Sequence, residues 1–255
     1  MITDTEGIVL KQTKTAYGRR MILLFSKKYG KISAGTGISE KGRNKAALAM
    51  RPFTYGRYEL YKNRDSYNIN GAEVRKSYYK IGEDIDKYMN SAYVLEFTEK
   101  VLPEGQPSQA MFHLLQDFLS VMEVRKKSHS TLVLGFEVKT LKIMGVMPML
   151  ERCVHCSAKC SPDKPPAYLS VKEGGIICAD CSRGLGISDN DTLIYSLNFG
   201  IVDILKYFAG HSLKNLENLA LEEKVQKRLQ AMIRCYAAYY LDIGELKSES
   251  FLTEY

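Results

Sequence analysis

The stretch CVHCSAKCSPDKPPAYLSVKEGGIICADC, residues 153–181, contains two Cys-x-x-Cys pairs, Cys153/Cys156 and Cys178/Cys181. Zinc favours four tetrahedral ligands, and a two-residue gap lets both sulfurs of a pair reach one ion at about 2.3 Å. The two pairs therefore predict one structural zinc site, with Cys153, Cys156, Cys178 and Cys181 as its four ligands.

The chain between the two pairs predicts a small zinc ribbon. Apolar runs at 168–171 and 176–178 flank Glu173-Gly174-Gly175, which is a hairpin signal. A catalytic zinc would need an open fourth position. The deaminase pattern of His-x-Glu followed by Pro-Cys-x-x-Cys is missing, because Ile177 precedes Cys178.

Further donors near the first pair leave alternatives open. Cys160 follows Cys156 by three residues, and His155 lies inside the pair, so six donors compete for four positions. A redox pair or a disulfide framework would also use paired cysteines, although disulfides need an oxidising compartment. We favour zinc on the paired thiols, and we expect Cys235, in an apolar helical run, to be a core residue.

The composition is that of a globular protein. The chain has 255 residues, of which 45% are hydrophobic and 25% charged. Its first residues lack the basic and apolar regions of a signal peptide, and no run approaches the roughly 18 apolar residues of a membrane span. We therefore expect a cytoplasmic protein with reduced thiols.

The charge is unevenly distributed along the chain. Residues 1–80 contain 17 Lys and Arg against 6 Asp and Glu, whereas residues 81–255 contain 19 against 23. A basic segment attached to a near-neutral one is typical of proteins that bind polyanions, most often nucleic acids. The alternative is a solvated lysine-rich surface that only maintains solubility.

The first 80 residues have a β pattern, and a helical period follows. Five short strands are predicted, with a break near residues 40–50, which matches a Greek-key barrel of the OB type; an SH3-like barrel has much the same signature. Helical periodicity resumes after the zinc segment. The predicted strands contain 8–10, 21–25, 31–34, 55–61 and 66–74, and the predicted helices cover 85–103, 111–124 with Ser108 as N-cap, 132–147, 193–208 and 222–241.

These patterns predict an α+β fold, in which an N-terminal OB-fold β-barrel is followed by a helical bundle with an inserted zinc ribbon. The predicted domains are an OB-fold nucleic-acid-binding domain at 1–80, a first helical part at 81–149, a zinc module at 150–183 and a second helical part at 184–255.

A barrel of this kind binds single strands with basic groups that follow the phosphates and with aromatic rings on which bases stack. Tyr17, Tyr29 and Tyr55 are the candidate rings, although a single tyrosine is more often part of a barrel core or rim. The candidate DNA-binding cations are Lys11, Lys14, Arg19, Arg20, Lys27, Lys28, Lys31, Lys41, Arg43, Lys45 and Arg51.

Signatures of catalysis are missing. The segment at 37–44 imitates the glycine spacing of a phosphate-binding loop, but Arg43 and Asn44 replace the required Lys and Ser/Thr. The sequence contains neither a G-x-S-x-G elbow nor an H-E-x-x-H motif. No catalytic residues are predicted, and we expect a protein that is not an enzyme.

Several short motifs follow one another in a fixed order along nearly the whole chain. The motifs are Glu6-Gly7-Ile8-Val9-Leu10, Tyr17-Gly18, Phe25-Ser26, Tyr29-Gly30-Lys31, Lys41-Gly42-Arg43, Leu48, Arg51-Pro52-Phe53, Glu59-Leu60-Tyr61, the segment 152–181, Leu246-Lys247-Ser248 and Phe251-Leu252. Each motif is weak by itself, but their order, combined with the cysteine pairs, resembles the bacterial recombination mediator family RecO.

The resemblance implies a role in recombinational repair without ATP hydrolysis. Proteins of this family bind single- and double-stranded DNA, anneal complementary strands, and work with RecR to load RecA onto strands coated by single-stranded-DNA-binding protein. The basic barrel residues would then form the DNA surface, the cysteines would hold structural Zn²⁺, and the protein would associate with the nucleoid.

Two other hypotheses fit parts of the sequence. An OB barrel and a zinc ribbon also suit an RNA-binding protein in translation or ribosome assembly, which would prefer structured RNA over DNA. A metal-dependent hydrolase or oxidoreductase would require an open metal site. Together with the resemblance, the uneven charge and the missing catalytic motifs favour the DNA-binding mediator.

Overall fold

The computed structural model describes residues 1–39, 45–64, 66–161, 163–187, 191–197 and 200–250. Two compact units are present. The barrel unit comprises Met1–His129 together with the chain from Gly244 onward, and the second unit comprises Ser130–Ile243. The four-domain division given above stays a prediction. Within the described ranges, no helix combines the length and the apolar character needed to cross a membrane.

Five strands of the barrel unit close into a barrel in the order β1-β2-β3-β5-β4. Strands β3 and β5 pair in parallel, and the other neighbours pair antiparallel. This is the arrangement of an OB-fold, and the predicted fold class is confirmed. The strands are β1 (Ile2–Lys14), β2 (Arg20–Ser26), β3 (Gly30–Thr36), β4 (Thr54–Asn63) and β5 (Ser66–Ser77).

Alternation of inward and outward residues explains why these strands form. In β4, Tyr58 and Leu60 are fully buried, while the residues between and beside them are exposed. The predicted break between β3 and β4 contains the short helix α1 (Lys45–Leu48). Directly after it, the carbonyl of Ala49 accepts a hydrogen bond of 2.7 Å from the buried Tyr58 hydroxyl, which fixes this segment against the core.

Two helices complete the barrel unit, and both begin at capping residues. Asp84 caps α2 (Ile85–Val101) by accepting hydrogen bonds from two backbone amides, and Ser108 caps α3 (Gln109–Val124), as predicted. The next helix, α4 (His129–Ile143), begins three residues earlier than predicted and ends four residues earlier. It ends there because Gly145 adopts a left-handed φ of 75°, the conformation that commonly terminates helices.

The second unit contains a three-stranded sheet and further helices. The sheet has the order β7-β6-β8, and the hairpin of β6 and β7 was predicted. The predicted helix at 193–208 is wrong at its start, because β8 pairs with the free edge of β6 there. The elements are β6 (Pro166–Ser170), β7 (Gly175–Cys178), α5 (Ala179–Leu185), β8 (Ile194–Ser196), α6 (Ile201–Gly210) and α7 (Glu223–Leu241).

Candidate metal centre and nucleic-acid surface

The first cysteine pair lies in a tight turn. Cys153 N donates to the carbonyl of Ala158 at 3.0 Å, and Ser157 N donates to the carbonyl of Cys153 at 2.9 Å. Ser157 has a φ of 57°, so the chain reverses directly after Cys156. This reversal presents both sulfurs of the pair to one point.

The second pair lies where β7 meets α5. Cys178 ends β7, and Cys181 is in the first turn of α5. A Cβ atom at Gly175, the first residue of β7, would lie 2.7 Å from the carbonyl oxygen of Met149 and 2.7 Å from Cγ1 of Val154. A bare backbone at Gly175 therefore lets the hairpin approach the segment that carries the first pair.

All four predicted ligands meet in one cluster. The sulfur atoms of Cys153, Cys156, Cys178 and Cys181 lie within 4.8 Å of one another. The sulfurs of Cys156 and Cys178 are 3.9 Å apart, whereas two sulfurs at about 2.3 Å from a common tetrahedral ion would be separated by about 3.8 Å. The four cysteines are free thiols, and their separation exceeds the roughly 2.05 Å of a disulfide. The donor set and spacing fit a four-coordinate metal.

The electrostatics of the cluster favour a bound cation. Burial opposes ionisation of Cys153, but backbone N–H groups of Cys156, Cys178 and His155 lower its pKa to about 6. The neighbouring thiol of Cys178, followed by burial, raises the pKa of Cys181 to about 12. The Cys153 thiol therefore ionises easily, whereas a second negative charge on Cys181 is unfavourable. A dication removes this conflict, because it binds the deprotonated sulfurs.

The additional donors are outside this group. Among the described residues, the ligand cluster comprises the four paired thiols, and Cys160 packs beside it while burial raises the pKa of the Cys160 thiol. His155 is exposed and lies 3.8 Å from Oε1 of Glu173. Cys235 lies in α7, is half-buried, and is not one of the clustered thiols.

Nine of the eleven predicted DNA-binding residues lie in the described part of the barrel unit, and Lys41 and Arg43 lie outside the described residues. Most of the nine are exposed. The exposed ones are Lys11, Lys14, Arg19, Lys28, Lys45 and Arg51; Lys27 and Lys31 are half-buried, and Arg20 is buried.

Several of these cations have protein partners. Lys27 pairs with Glu6 at 3.1 Å, and this hydrogen bond lowers the pKa of the Glu6 carboxyl. Lys31 donates to the carbonyl of Glu99 at 2.6 Å, and Lys11 lies 3.6 Å from the Glu99 carboxylate. The two carboxylates reduce the positive charge that Lys11 and Lys27 offer to a polyanion. The neutral carbonyl occupies one N–H donor of Lys31 and leaves its charge in place.

The three candidate tyrosines differ in exposure. Tyr55 is half-buried, with its ring 6.2 Å from that of Phe112. The Tyr29 hydroxyl is 2.7 Å from Thr3 Oγ1, and its ring packs 5.8 Å from that of Tyr67. Tyr17, in the β1–β2 turn, is 98% exposed. Tyr17 is therefore the candidate whose ring is free for stacking.

Sequence reasoning missed two polar contacts that join distant parts of the barrel unit. Asn68 accepts a hydrogen bond from Arg19. The Glu96 carboxylate accepts hydrogen bonds from Lys247 N at 3.1 Å and from Ser248 N at 2.8 Å, which anchors the returning C-terminal segment to α2. No local pattern marks either contact, because its partners are far apart in the chain.

Comparison with known proteins gives a consistent result over the whole chain. Residues 1–78 match the family model described as recombination protein O N terminal, and residues 82–250 match recombination protein O C terminal. The DNA repair protein RecO of Alkaliphilus metalliredigens is 29% identical over 242 residues, covering 95% of each chain. That of Desulforamulus reducens is 29% identical over 252 residues, covering 98% of this chain and 94% of the relative. That of Pelotomaculum thermopropionicum is 28% identical over 250 residues, covering 98% and 93%.

Proposed function

The chain belongs to the recombination protein O family, and from this premise we propose that it is a recombination mediator in DNA repair. It binds single- and double-stranded DNA and anneals complementary strands. With RecR it helps to load RecA onto strands coated by single-stranded-DNA-binding protein. The relatives named as DNA repair proteins support the repair role.

The observation that carries this proposal is the basic OB barrel. OB-folds bind oligonucleotides, and an excess of cations attracts phosphates and releases their counterions. Two strands whose charge is neutralised on one protein surface can meet and pair. Exchange of these contacts drives the process, so no nucleotide hydrolysis and no catalytic residue are required.

The eleven candidate cations remain our proposal for the DNA surface, with one restriction. Arg20 is 7% exposed, so it acts within the barrel and not as a direct contact. The exposed residues Arg19, Lys45 and Arg51 contribute most.

We assign a structural Zn²⁺ to Cys153, Cys156, Cys178 and Cys181. Four protein sulfurs fill a tetrahedral shell, so no coordination position remains for a substrate. Bound zinc would cross-link the two pairs and stabilise the ribbon. The protein acts in the cytoplasm at the nucleoid, where its DNA substrate lies and thiols stay reduced.

The test is strand annealing. Two complementary oligonucleotides, each saturated with single-stranded-DNA-binding protein, are mixed with this protein in the absence of nucleotide, and duplex formation is followed by fluorescence. Strong acceleration is expected, and RecR and RecA are then added in turn to measure loading. A folded, zinc-loaded protein that does not accelerate annealing would contradict the mediator role, and tighter binding to structured RNA would favour a role in translation.

A further inference from the structure

The turn between β1 and β2 presents an aromatic ring and a cation in a fixed geometry. Gly18 N donates to the carbonyl of Thr15 at 2.9 Å, and Thr15 N donates to the carbonyl of Arg19 at 2.8 Å. Gly18 adopts a φ of 75°, as the last position of such a turn requires. Tyr17 is thereby held at the tip, 98% exposed. Of the described aromatic residues with exposed side chains, Tyr17 is the most exposed.

Arg19 extends from this turn across the barrel wall. Gly35 in β3 and Asn68 in β5 are register partners in the parallel strand pair. Arg19 Nη2 donates to Asn68 Oδ1. A Cβ atom at Gly35 would lie 2.8 Å from Arg19 Nη2 and 3.0 Å from Nε. The guanidinium therefore lies against the bare backbone of Gly35 and is oriented by Asn68.

The chemistry of this contact leaves the charge of Arg19 available. Asn68 is neutral, so it orients the guanidinium without neutralising it. Of the described carboxylates, none forms an ion pair with Arg19, whereas Lys11 and Lys27 each have one nearby. A guanidinium has five N–H donors and matches phosphate oxygens in two-point contacts. Arg19 is exposed and retains donors for such a ligand.

We propose that Tyr17, Arg19, Gly35 and Asn68 form a subsite for single-stranded DNA. Tyr17 stacks on a base, and Arg19, oriented by Asn68 over Gly35, binds a neighbouring phosphate. The β1–β2 turn is one of the loops with which OB-folds bind oligonucleotides. A single strand is the ligand because its bases are free to stack, whereas those of a duplex are not. This inference rests on the proposed function and names the contact residues for it.

The aromatic part of the subsite is tested with the full-length, zinc-loaded protein and a fluorescein-labelled oligothymidine, by fluorescence anisotropy. Tyr17→Ala should weaken binding by about 5- to 150-fold, because one stacked base is lost, while Tyr17→Phe should bind like the wild type. Tyr79→Ala is the matched control, since Tyr79 is also exposed, at 61%, and is outside the subsite. Equal affinities of Tyr17→Ala and Tyr79→Ala would overturn the stacking role.

The cationic part is tested by the dependence of affinity on salt. Arg19→Gln should reduce the log-log slope by about 0.7, the value for one phosphate contact on a single strand. Lys100→Gln, which removes an exposed charge from the end of α2, should leave the slope unchanged. Asn68→Asp keeps Arg19 but gives it an anionic partner that neutralises its charge. This variant should therefore reduce the log-log slope by as much as Arg19→Gln does.

Gly35→Ala tests the geometry without changing any charge. The new methyl group meets the flexible end of Arg19 and, at 3.0 Å, the side-chain oxygen of Asn68, so the barrel should fold while the guanidinium is displaced. We expect Gly35→Ala to weaken oligothymidine binding in the wild type and to have no additional effect in the Arg19→Gln background. Additive effects would overturn the proposed placement of Arg19 over Gly35.

Two outcomes separate the subsite from the proposed function. The subsite alone would be overturned if the wild-type protein binds oligothymidine and anneals strands, and the variants Tyr17→Ala, Arg19→Gln, Asn68→Asp and Gly35→Ala bind equally well. A wild-type protein without salt-dependent binding to oligothymidine would overturn both proposals. Tighter binding of oligouridine than of oligothymidine through the same residues would overturn the assignment to DNA.

Discussion

The cysteine cluster and the basic barrel surface are built on opposite principles. The cluster collects four chemically matched ligands from 29 consecutive residues, and all four sulfurs lie within 4.8 Å. The barrel surface collects cations from β1, β2, β3, the turns between these strands, α1 and the segment after α1, and their side chains range from exposed to buried. A metal site needs every ligand, whereas a polyanion surface tolerates the loss of individual contacts. Substitutions should therefore have all-or-none effects in the cluster and graded effects on the barrel.

The largest effect is expected when the cluster is broken. Cys153→Ser combined with Cys178→Ser removes one ligand from each pair, so zinc should be lost and the hairpin of β6 and β7 should lose protection from hydrogen exchange. Structural zinc sites contribute on the order of 10 kcal/mol to local folding. Zinc content is measured by mass spectrometry, and exchange is measured on the same samples.

The cysteines outside the cluster provide the controls. Cys160→Ser and Cys235→Ser should each retain one zinc per chain, since neither thiol belongs to the four-ligand group. Loss of zinc from Cys160→Ser would show that the fourth ligand is assigned incorrectly. Oligothymidine affinity of the double variant should change little, because the proposed DNA surface is in the barrel unit.

The same contrast explains what could be predicted from the sequence. The zinc ligands follow from the two-residue spacing of their pairs, and the barrel strands follow from alternation, as Tyr58 and Leu60 of β4 illustrate. Both patterns are local. The strand order, however, becomes definite only through the parallel pairing of β3 and β5. The local pattern alone could not distinguish an OB barrel from an SH3-like barrel.

Features that depend on distant partners could not be predicted. Strand β8 exists because it pairs with the edge of β6, and its sequence was assigned to a helix. Arg20 was counted with the surface cations because residue type alone does not reveal burial; in the structure its side chain is 7% exposed. The contact between Arg19 and Asn68 joins residues 49 positions apart.

Charge reversal on the barrel is expected to have the next largest effect. Arg19→Glu, Lys45→Glu and Arg51→Glu together should weaken oligothymidine binding at least about a hundredfold, because contacts to charged groups contribute about 1.5–3 kcal/mol each. The log-log salt slope should fall by about 2, or about 0.7 for each lost phosphate contact. Zinc content should not change.

A charge-matched control separates local contacts from net charge. Lys100→Glu, Lys126→Glu and Lys127→Glu change the net charge equally at exposed positions of the barrel unit outside the proposed DNA surface. This control should bind much more tightly than the barrel variant. Equal weakening would mean that the total charge, and not the proposed surface, determines affinity.

The pH dependence of stability tests the long-range polar contact between Glu96 and the C-terminal segment. Burial opposes ionisation, but hydrogen bonds from Ser248 and Lys247 lower the pKa of Glu96 below its usual value of 4.5. Because the pKa of Glu96 is lower in the folded state, the ionised carboxylate stabilises the fold above pH 4.5. This stabilisation is lost as the pH falls through the folded-state pKa. Glu96→Gln should cost about 1.5–3 kcal/mol at neutral pH.

Urea unfolding of the wild type and Glu96→Gln, repeated at decreasing pH, measures this contribution. The difference in unfolding free energy should be constant at neutral pH and should shrink below pH 4.5. Glu83→Gln is the control, since Glu83 is exposed at the end of the 3-10 helix before α2. A difference that grows on acidification would contradict the proposed role of the ionised carboxylate.

The smallest effect is expected at Lys27, whose charge is already compensated. Lys27 and Glu6 form a partly exposed ion pair at 3.1 Å, and such pairs contribute about 0–1 kcal/mol to stability. Lys27→Gln should therefore change the unfolding free energy by less than about 1 kcal/mol. It should also reduce the salt slope of oligothymidine binding by less than Arg19→Gln does, because a paired cation must leave its carboxylate before it can bind a phosphate. Equal salt slopes for Lys27→Gln and Arg19→Gln would show that DNA affinity depends on the number of cations on the barrel surface and not on their partners. The graded effects of substitutions on this surface would then have a purely electrostatic origin.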